Sequence, residues 1–519
     1  MQLRLSILTL ALASAAIPLS VMAADDSDTL SAQLRQIRQG KVSATQLLHK
    51  YQLRIHQHNP TLQAVIALDP QAAQAAVAKD QQKKRNLPLF GLPLLIKDNI
   101  DAQGMVTTAG SLALSENIRN EDAPVVARLR AAGAIIVGKA NLSEWANLRS
   151  THASSGWSSA GGQARNPYDL TRSPCGSSSG SGAAVAARLI PAAIGTETDG
   201  SVVCPAAING LVGLKPTIGL VSRTGIVPIA HSQDTAGPMT LTVRDAAMLL
   251  NAMAGSDPKD IATRDADQRR SPDYLAGLSK TALKGKRLGI VRAMVDSYDA
   301  DTKAVFEHSL AILRAQGATI VDQVDFPALE DVEKDEMTVL LTEFKADLNA
   351  YLATTPDSVR NRTLADVIQF NRENAATVMP YFAQELMEQA QAAGSLNDAA
   401  YREASARIKQ KMGKDGIDAA LKKYHLDALI APTTGAAWVI DYKAGDVIEG
   451  SASTPAAIAG YPHLTVPMGM VRNLPVGLSL FAGAWSDAQL LNMGYAFEQA
   501  RPALPAPHLP PAMPLLAKP

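Results

Sequence analysis

The chain has 519 residues, 47% of them hydrophobic and 19% charged, enough to bury a large core as ordinary globular enzymes do. Its 49 basic and 49 acidic residues cancel, so it lacks the electrostatic footprint of a nucleic-acid binder or an anionic-membrane protein. Aromatic residues, at 4%, are too few for broad base stacking, and neither count favours a polyanionic partner.

The chain opens on Met1-Gln2-Leu3-Arg4, an apolar run over 5–17, Pro18, and small residues up to Ala23-Ala24 before Asp25. This is the pattern of a secretory signal peptide, expected over 1–23 with cleavage after Ala23. The apolar run is too short to span a bilayer and Pro18 breaks it. The expectation is an exported, periplasmic enzyme with no membrane attachment after cleavage.

Apolar residues at helical spacing over 30–57, with Ser43 and Thr45 ahead of Leu47-Leu48, predict a helix, and the alanine-rich stretch 72–84 a second. A strand over 92–96 delivers Lys97. A helix from Asp122 to Ala132 ends at Gly133 before a buried strand over 134–137. The same rhythm returns with a short helix over 182–188 and a strand over 189–196, and Ser201 follows. Further strands are expected over 288–291, 426–431, 459–469 and 474–480, the last two joined by a turn. Between 329 and 423 the composition turns to Ala, Glu, Lys, Gln and Leu, read either as a helical cap or as outer-layer helix. The tail 501–519 holds seven prolines and should be extended. The fold class expected is α/β, one large domain with a central mixed, mostly parallel sheet covered by helices on both faces.

Three segments carry chemistry. Lys97 ends Gly91-Leu92-Pro93-Leu94-Leu95-Ile96-Lys97, and a lysine delivered to an interior is desolvated, which favours its neutral, basic form. Ser177 lies in Cys175-Gly176-Ser177-Ser178-Ser179-Gly180, and Ser201 closes Gly195-Thr196-Glu197-Thr198-Asp199-Gly200-Ser201. The backbone amides of Thr198, Asp199, Gly200 and Ser201 can converge on one point as an oxyanion hole, where one donor is worth roughly 3 kcal/mol. A serine hydroxyl needs a base to take its proton. For Lys97 to serve near neutrality its pKa must fall by roughly 3 from about 10.4, about 4 kcal/mol of differential interaction. The bland alternatives are a surface serine, a linker serine and a lysine paired with Asp98.

Gly176-Ser177-Ser178-Ser179-Gly180 also fits Gly-x-Ser-x-Gly, which would make Ser178 the nucleophile, with His231, His308, His425 or His463 as partner. That elbow must follow a buried strand, whereas 165–175 is polar and broken by proline, so Ser178 is assigned a supporting hydrogen bond. Gly213-Leu214-Lys215-Pro216-Thr217 is no phosphate loop, and Asp234 is read as scaffold. Trp145 and Trp157 line a channel or pack in the core. Cys175 and Cys204 flank the serine segments. They are either two small buried residues or, because the serines must converge, a disulfide. Two cysteines without a histidine cluster do not make a zinc site.

These segments, in this order, resemble the amidase signature family. The resemblance runs from about 28 to about 501, inside an amidase domain of 24–500, and is densest over a signature core of 91–255. It implies a catalytic set of Lys97, Ser177 held by a cis peptide bond, and nucleophilic Ser201, at the family's own 177–201 spacing. Cys175 and Ser179 replace glycine, and Glu197 replaces aspartate, relative to many members. The stretches 141–147 and 196–209 are most similar to bacterial peptide amidases, which remove the C-terminal amide of peptides. The resemblance therefore implies hydrolysis of a carboxamide to carboxylate and ammonia through a Ser201 acyl-enzyme, by a monomer needing no metal or cofactor. Alternatives are a broad amidase of small aliphatic, aromatic or fatty amides, and, in another class, an inactive exported binding protein. A peptide-amide enzyme should have a channel walled in part by 329–423 and a closed leaving-group pocket near Ser177.

Overall fold

Leu94 and Ile96 pack on one face of a central sheet and Leu95 on the other, the period-two alternation of a strand buried on both sides. A computed structural model describes residues 27–509, so the expected signal segment and residues 510–519 of the tail lie outside the described residues. The strands are β1 (Val65–Leu68), β2 (Pro93–Lys97), β3 (Ile135–Ala140), β4 (Trp157–Ser158), β5 (Gly162–Gln163), β6 (Ala192–Glu197), β7 (Val212–Lys215), β8 (Thr235–Thr240), β9 (Arg287–Ile290), β10 (Thr319–Val321), β11 (Ala428–Pro432), β12 (His463–Val471) and β13 (Leu474–Phe481). Eleven of them form one sheet in the order β1-β3-β2-β6-β8-β7-β12-β13-β11-β9-β10, and β4 pairs with β5 in a small ribbon.

The sheet is mixed, as expected, with a different balance. Four neighbouring pairs are parallel (β2 with β3 and β6, β9 with β10 and β11) and six antiparallel. The expectation of a mostly parallel sheet is corrected at its centre. There β8 inserts antiparallel between β6 and β7, and β12 and β13 form a hairpin. Its two-residue turn, Arg472-Asn473, has φ of 48° and 63°, the backbone that matches the twist of paired strands. Local helix–strand rhythm cannot report such insertions, because strand order is set by long-range pairing.

Helices cover both faces. Pro124–Ala131, Val243–Met253, Ala300–Ala315 and Asp487–Ala500 pack on the side of Leu94, Ile194 and Leu464, and Ala44–Leu62, Ala72–Asp80 and Ser179–Ala186 on the side of Leu95 and Ala193. The helix expected over 30–57 is two, Leu30–Arg38 and Ala44–Leu62. The second starts in a capping box, in which the Ser43 hydroxyl accepts from the Gln46 N–H and the Gln46 side chain accepts from the Ser43 N–H. Residues 330–423 are a run of helices joined by short loops, led by the 23-residue helix Glu330–Leu352. Its Phe344 and Leu348 share a core with Leu114 and Trp145 of the α/β body. No helix among the described residues is long and apolar enough to cross a membrane.

Candidate active site

Strand parity aims Lys97. It follows Leu95 by two positions, so it projects to the face carrying the helix Ser179–Ala186, which begins just after Ser177. Lys97 is fully buried, with its Nζ 2.7 Å from Ser177 Oγ, 2.8 Å from Thr196 Oγ1 and 3.3 Å from the Thr196 carbonyl oxygen. Asn99 Nδ2 also donates to Thr196 Oγ1, at 2.9 Å. Asp98 points away and pairs with Lys139 at 3.1 Å, so the reading of Lys97 as its ion-pair partner falls. Burial lowers the Lys97 pKa to about 7, against the weaker opposing pull of Asp234 and Glu197. A neutral amine there keeps two N–H donors for Thr196 and turns its lone pair to the Ser177 hydroxyl.

The Gly176–Ser177 peptide bond is cis. Gly176 is required by crowding, since a Cβ would stand 2.2 Å from Ser143 Oγ. Ser143 N–H donates to the Ser177 carbonyl at 3.1 Å. The Ser178 hydroxyl donates to the Thr196 carbonyl at 3.0 Å and accepts from the Thr196 N–H at 3.2 Å, and its own N–H donates to the Ser201 carbonyl at 3.2 Å. The elbow geometry is missing. Residues 164–178 contain no strand, and among the described residues no histidine is hydrogen-bonded to Ser178 or Ser201. His463 is buried against Ser479 and burial lowers it to about 3, while His231 pairs with Asp347.

The turn from Thr198 to Ser201 leaves a run of donors open. Among the described residues, none of the four amide N–H groups donates a hydrogen bond within the protein, while the next two, Val202 and Val203, both donate to Glu197 Oε2 at 2.7 and 2.9 Å. Glu197 thereby caps the helix Val203–Ile208, and Lys215 faces it as counter-charge. Gly200 has φ of 80°, a conformation that glycine adopts without a Cβ penalty. Thr198 Oγ1 donates to Asp234, whose other oxygen accepts from the Ile229 and Ala230 N–H groups. Those bonds are a scaffold's, although burial also lifts Asp234 to about 6. Ser201 is 8% exposed. The Ser177 and Ser201 hydroxyls are not hydrogen-bonded to each other among the described residues, as is common before a substrate tightens a site.

Cys175 and Cys204 form a disulfide that ties the residue before Gly176–Ser177 to the helix after Ser201. The bridge closes a loop of 29 residues, and the Cys175→Ser/Cys204→Ser chain should be less stable by roughly 3–4 kcal/mol in urea unfolding.

A cavity of about 860 Å³ reaches the site from the side of Asn99, Thr196, Thr198 and Asp234, with Asp347 and Tyr351 of the long helix on its wall. Ser177 and Ser201 do not line it, and Ser177 is fully buried. Trp145 and Trp157 are core residues: Trp145 packs with Phe344, and Trp157 with Phe382. Sequence reasoning passed over Thr196 and Asn99, although both stand within two positions of strand ends already singled out. Glu197 as a helix cap was also legible, as an acid shortly before Val203.

The Amidase family model matches residues 46–491. The crystal structure of a peptide amidase from Stenotrophomonas maltophilia superposes with a TM-score of 0.87 at 46% identity, covering 94% of this chain and 99% of that one. A probable amidase of Arabidopsis thaliana is 38% identical over 89% of this chain and 87% of its own. The structure of an amidase family protein from Bacillus anthracis superposes with a TM-score of 0.84 at 35% identity, covering 93% of this chain and 92% of that one. The fold and these relatives define an amide-cleaving hydrolase. The chain belongs to the amidase signature family.

Proposed function

We propose that this amidase hydrolyses the C-terminal amide of peptides through an acyl-enzyme on Ser201. The observation that carries the mechanism is the buried contact between Lys97 Nζ and Ser177 Oγ at 2.7 Å, beside a turn whose four amides have no partner among the described residues. In this reading Ser201 Oγ attacks the amide carbon and its proton passes by Ser177 to Lys97. The Thr198–Ser201 amides hold the oxyanion. The proton returns through Ser177 to the departing ammonia, and water then cleaves the ester. Lys97, Ser177 and Ser201 are thus the catalytic residues, and Ser178 braces the relay loop.

The peptide assignment is supported by the 46% identity to a peptide amidase and by the cavity. Its volume of about 860 Å³ is ample for a peptide chain and exceeds what a simple amide fills. Thr198 lines the cavity and opens the turn that ends at Ser201. An amidated dipeptide is expected to have a higher kcat/KM than benzamide when the two compete for the enzyme. Equal or better use of benzamide would leave a broad-specificity amidase, and no ammonia release from either would leave a binding protein. Export is part of the proposal, since a signal-like start and a disulfide both belong to an oxidising compartment. Recovery of the protein in a periplasmic fraction tests it.

A further inference from the structure

Glu336 stands on the helix Glu330–Leu352, and its side chain meets the Asp199 carboxyl in the middle of the Ser201 turn. Each carboxyl already has one oxygen engaged: Glu336 Oε1 accepts from Gln233 Nε2 at 2.9 Å, and Asp199 Oδ2 from Thr454 Oγ1 at 2.7 Å. The other Asp199 oxygen, Oδ1, is buried without a hydrogen bond from a donor among the described residues, and the Ser453 hydroxyl faces the same carboxyl. Two facing carboxylates repel, and one proton held between them turns the repulsion into a hydrogen bond.

The charges around the pair favour that arrangement. Glu333 lies one turn back on the same helix, Glu197 ends β6, and Lys215 ends β7 facing Glu197, Asp199 and Asp487. Lys215 favours the ionised form of Asp199, beneath the turn, whereas Glu333 on the helix adds to the repulsion felt by Glu336. Burial first, and then the facing Asp199, push Glu336 up to about 8 from its ordinary 4.5, against a weaker lowering by Gln233.

We propose that Glu336 is a positioning residue: protonated, it donates to Asp199 and pins the Thr198–Ser201 turn beneath the long helix, and its ionisation at alkaline pH releases that turn. The inference rests on the reading of Ser201 as nucleophile, since only then does the turn shape the oxyanion site. It also gives the helix Glu330–Leu352 a direct hold on that site, so the segment does more than wall the cavity.

The test compares the parent enzyme with Glu336→Gln and Glu336→Ala in kcat/KM against pH, using one amidated dipeptide. The parent should lose activity above about pH 8, where Glu336 gives up its proton. Glu336→Gln, whose amide donates at every pH, should move that alkaline limb upward by at least about one pH unit. Glu336→Ala should be slower across the range, with glutamine restoring what alanine loses.

A second readout does not involve Ser201. Because the folded pKa lies above the ordinary 4.5, folded protein holds this proton more tightly than unfolded chain does. The parent should therefore lose stability as pH rises from 4.5 toward about 8, and the unfolding midpoint of Glu336→Gln should gain on the parent's over that window. An alkaline limb unchanged in Glu336→Gln, or a midpoint difference independent of pH, overturns the clamp. Full activity in Ser201→Ala would instead overturn the catalytic reading, and the midpoint measurement would still judge the carboxyl pair.

Discussion

Replacing Ser201 by alanine is expected to lower kcat on an amide substrate by more than about 10⁴-fold while leaving the folded structure in place, the scale seen when an acyl-forming serine is removed from other hydrolases. In the proposed mechanism this hydroxyl forms the ester with the substrate, and its removal leaves only the oxyanion donors and binding. At 8% exposure a serine-to-alanine change there leaves no large void, so far-UV circular dichroism and the unfolding midpoint should stay near the parent's. Ser178→Ala makes the contrast. Ser178 is buried, and its hydroxyl bridges the Thr196 N–H and carbonyl, so its loss should cost stability and leave substantial turnover. An active Ser201→Ala protein beside an inactive, well-folded Ser178→Ala protein would return the nucleophile to the Gly-x-Ser-x-Gly reading.

The second large effect is expected at Lys97. As general base it should be worth on the order of 10²–10⁴ in rate, and Lys97→Ala should be slower than Ser177→Ala, because water can occupy the relay position but nothing replaces the proton acceptor. Lys97→Arg separates basicity from charge. A guanidinium remains protonated and cannot accept the Ser177 proton, so arginine should be as inactive as alanine, whereas a purely structural cation would be partly restored by it.

The pH dependence has a definite sign. Burial lowers Lys97 to about 7, so the base is protonated and idle below that value and free above it. The kcat/KM of the parent should therefore rise with pH through about 7, measured on a substrate for which chemistry limits the rate. A flat profile from pH 5 to 8, on the order of a hundredfold too active at the acid end for a base of this pKa, would contradict a titrating lysine. The same profile carries the Glu336 limb at its other end, and the two are separable because Glu336→Gln leaves Lys97 untouched.

Much of this protein is readable one segment at a time. The apolar run over Pro93–Lys97 marks a strand buried on both faces, and the two-residue spacing of Leu95 and Lys97 already assigns them a common face. Ser43 stands where a capping box begins, and the glycine in Asp199-Gly200-Ser201 marks a tight turn. Such features rest on φ/ψ preference and period, which neighbouring residues decide among themselves. The motif spacing in turn selects Lys97, Ser177 and Ser201 as the residues to test.

Other features could not be read, because they depend on partners far away in the chain. Whether β8 enters between β6 and β7, whether Cys175 reaches Cys204, and whether Trp145 faces a channel or the helix Glu330–Leu352 are all settled by packing across long separations. The meeting of Asp199 with Glu336 spans more than a hundred residues and leaves no local trace. By itself the sequence determined the α/β class, the family resemblance and the identities of the three candidate groups, since residue type and period are local quantities. Only the tertiary structure decided that Lys97 is buried against Ser177 and away from Asp98, and so titrates near 7. A pKa is set by everything that displaces water around the charge, and that surrounding is assembled from β2, β6 and the start of the helix Ser179–Ala186 together.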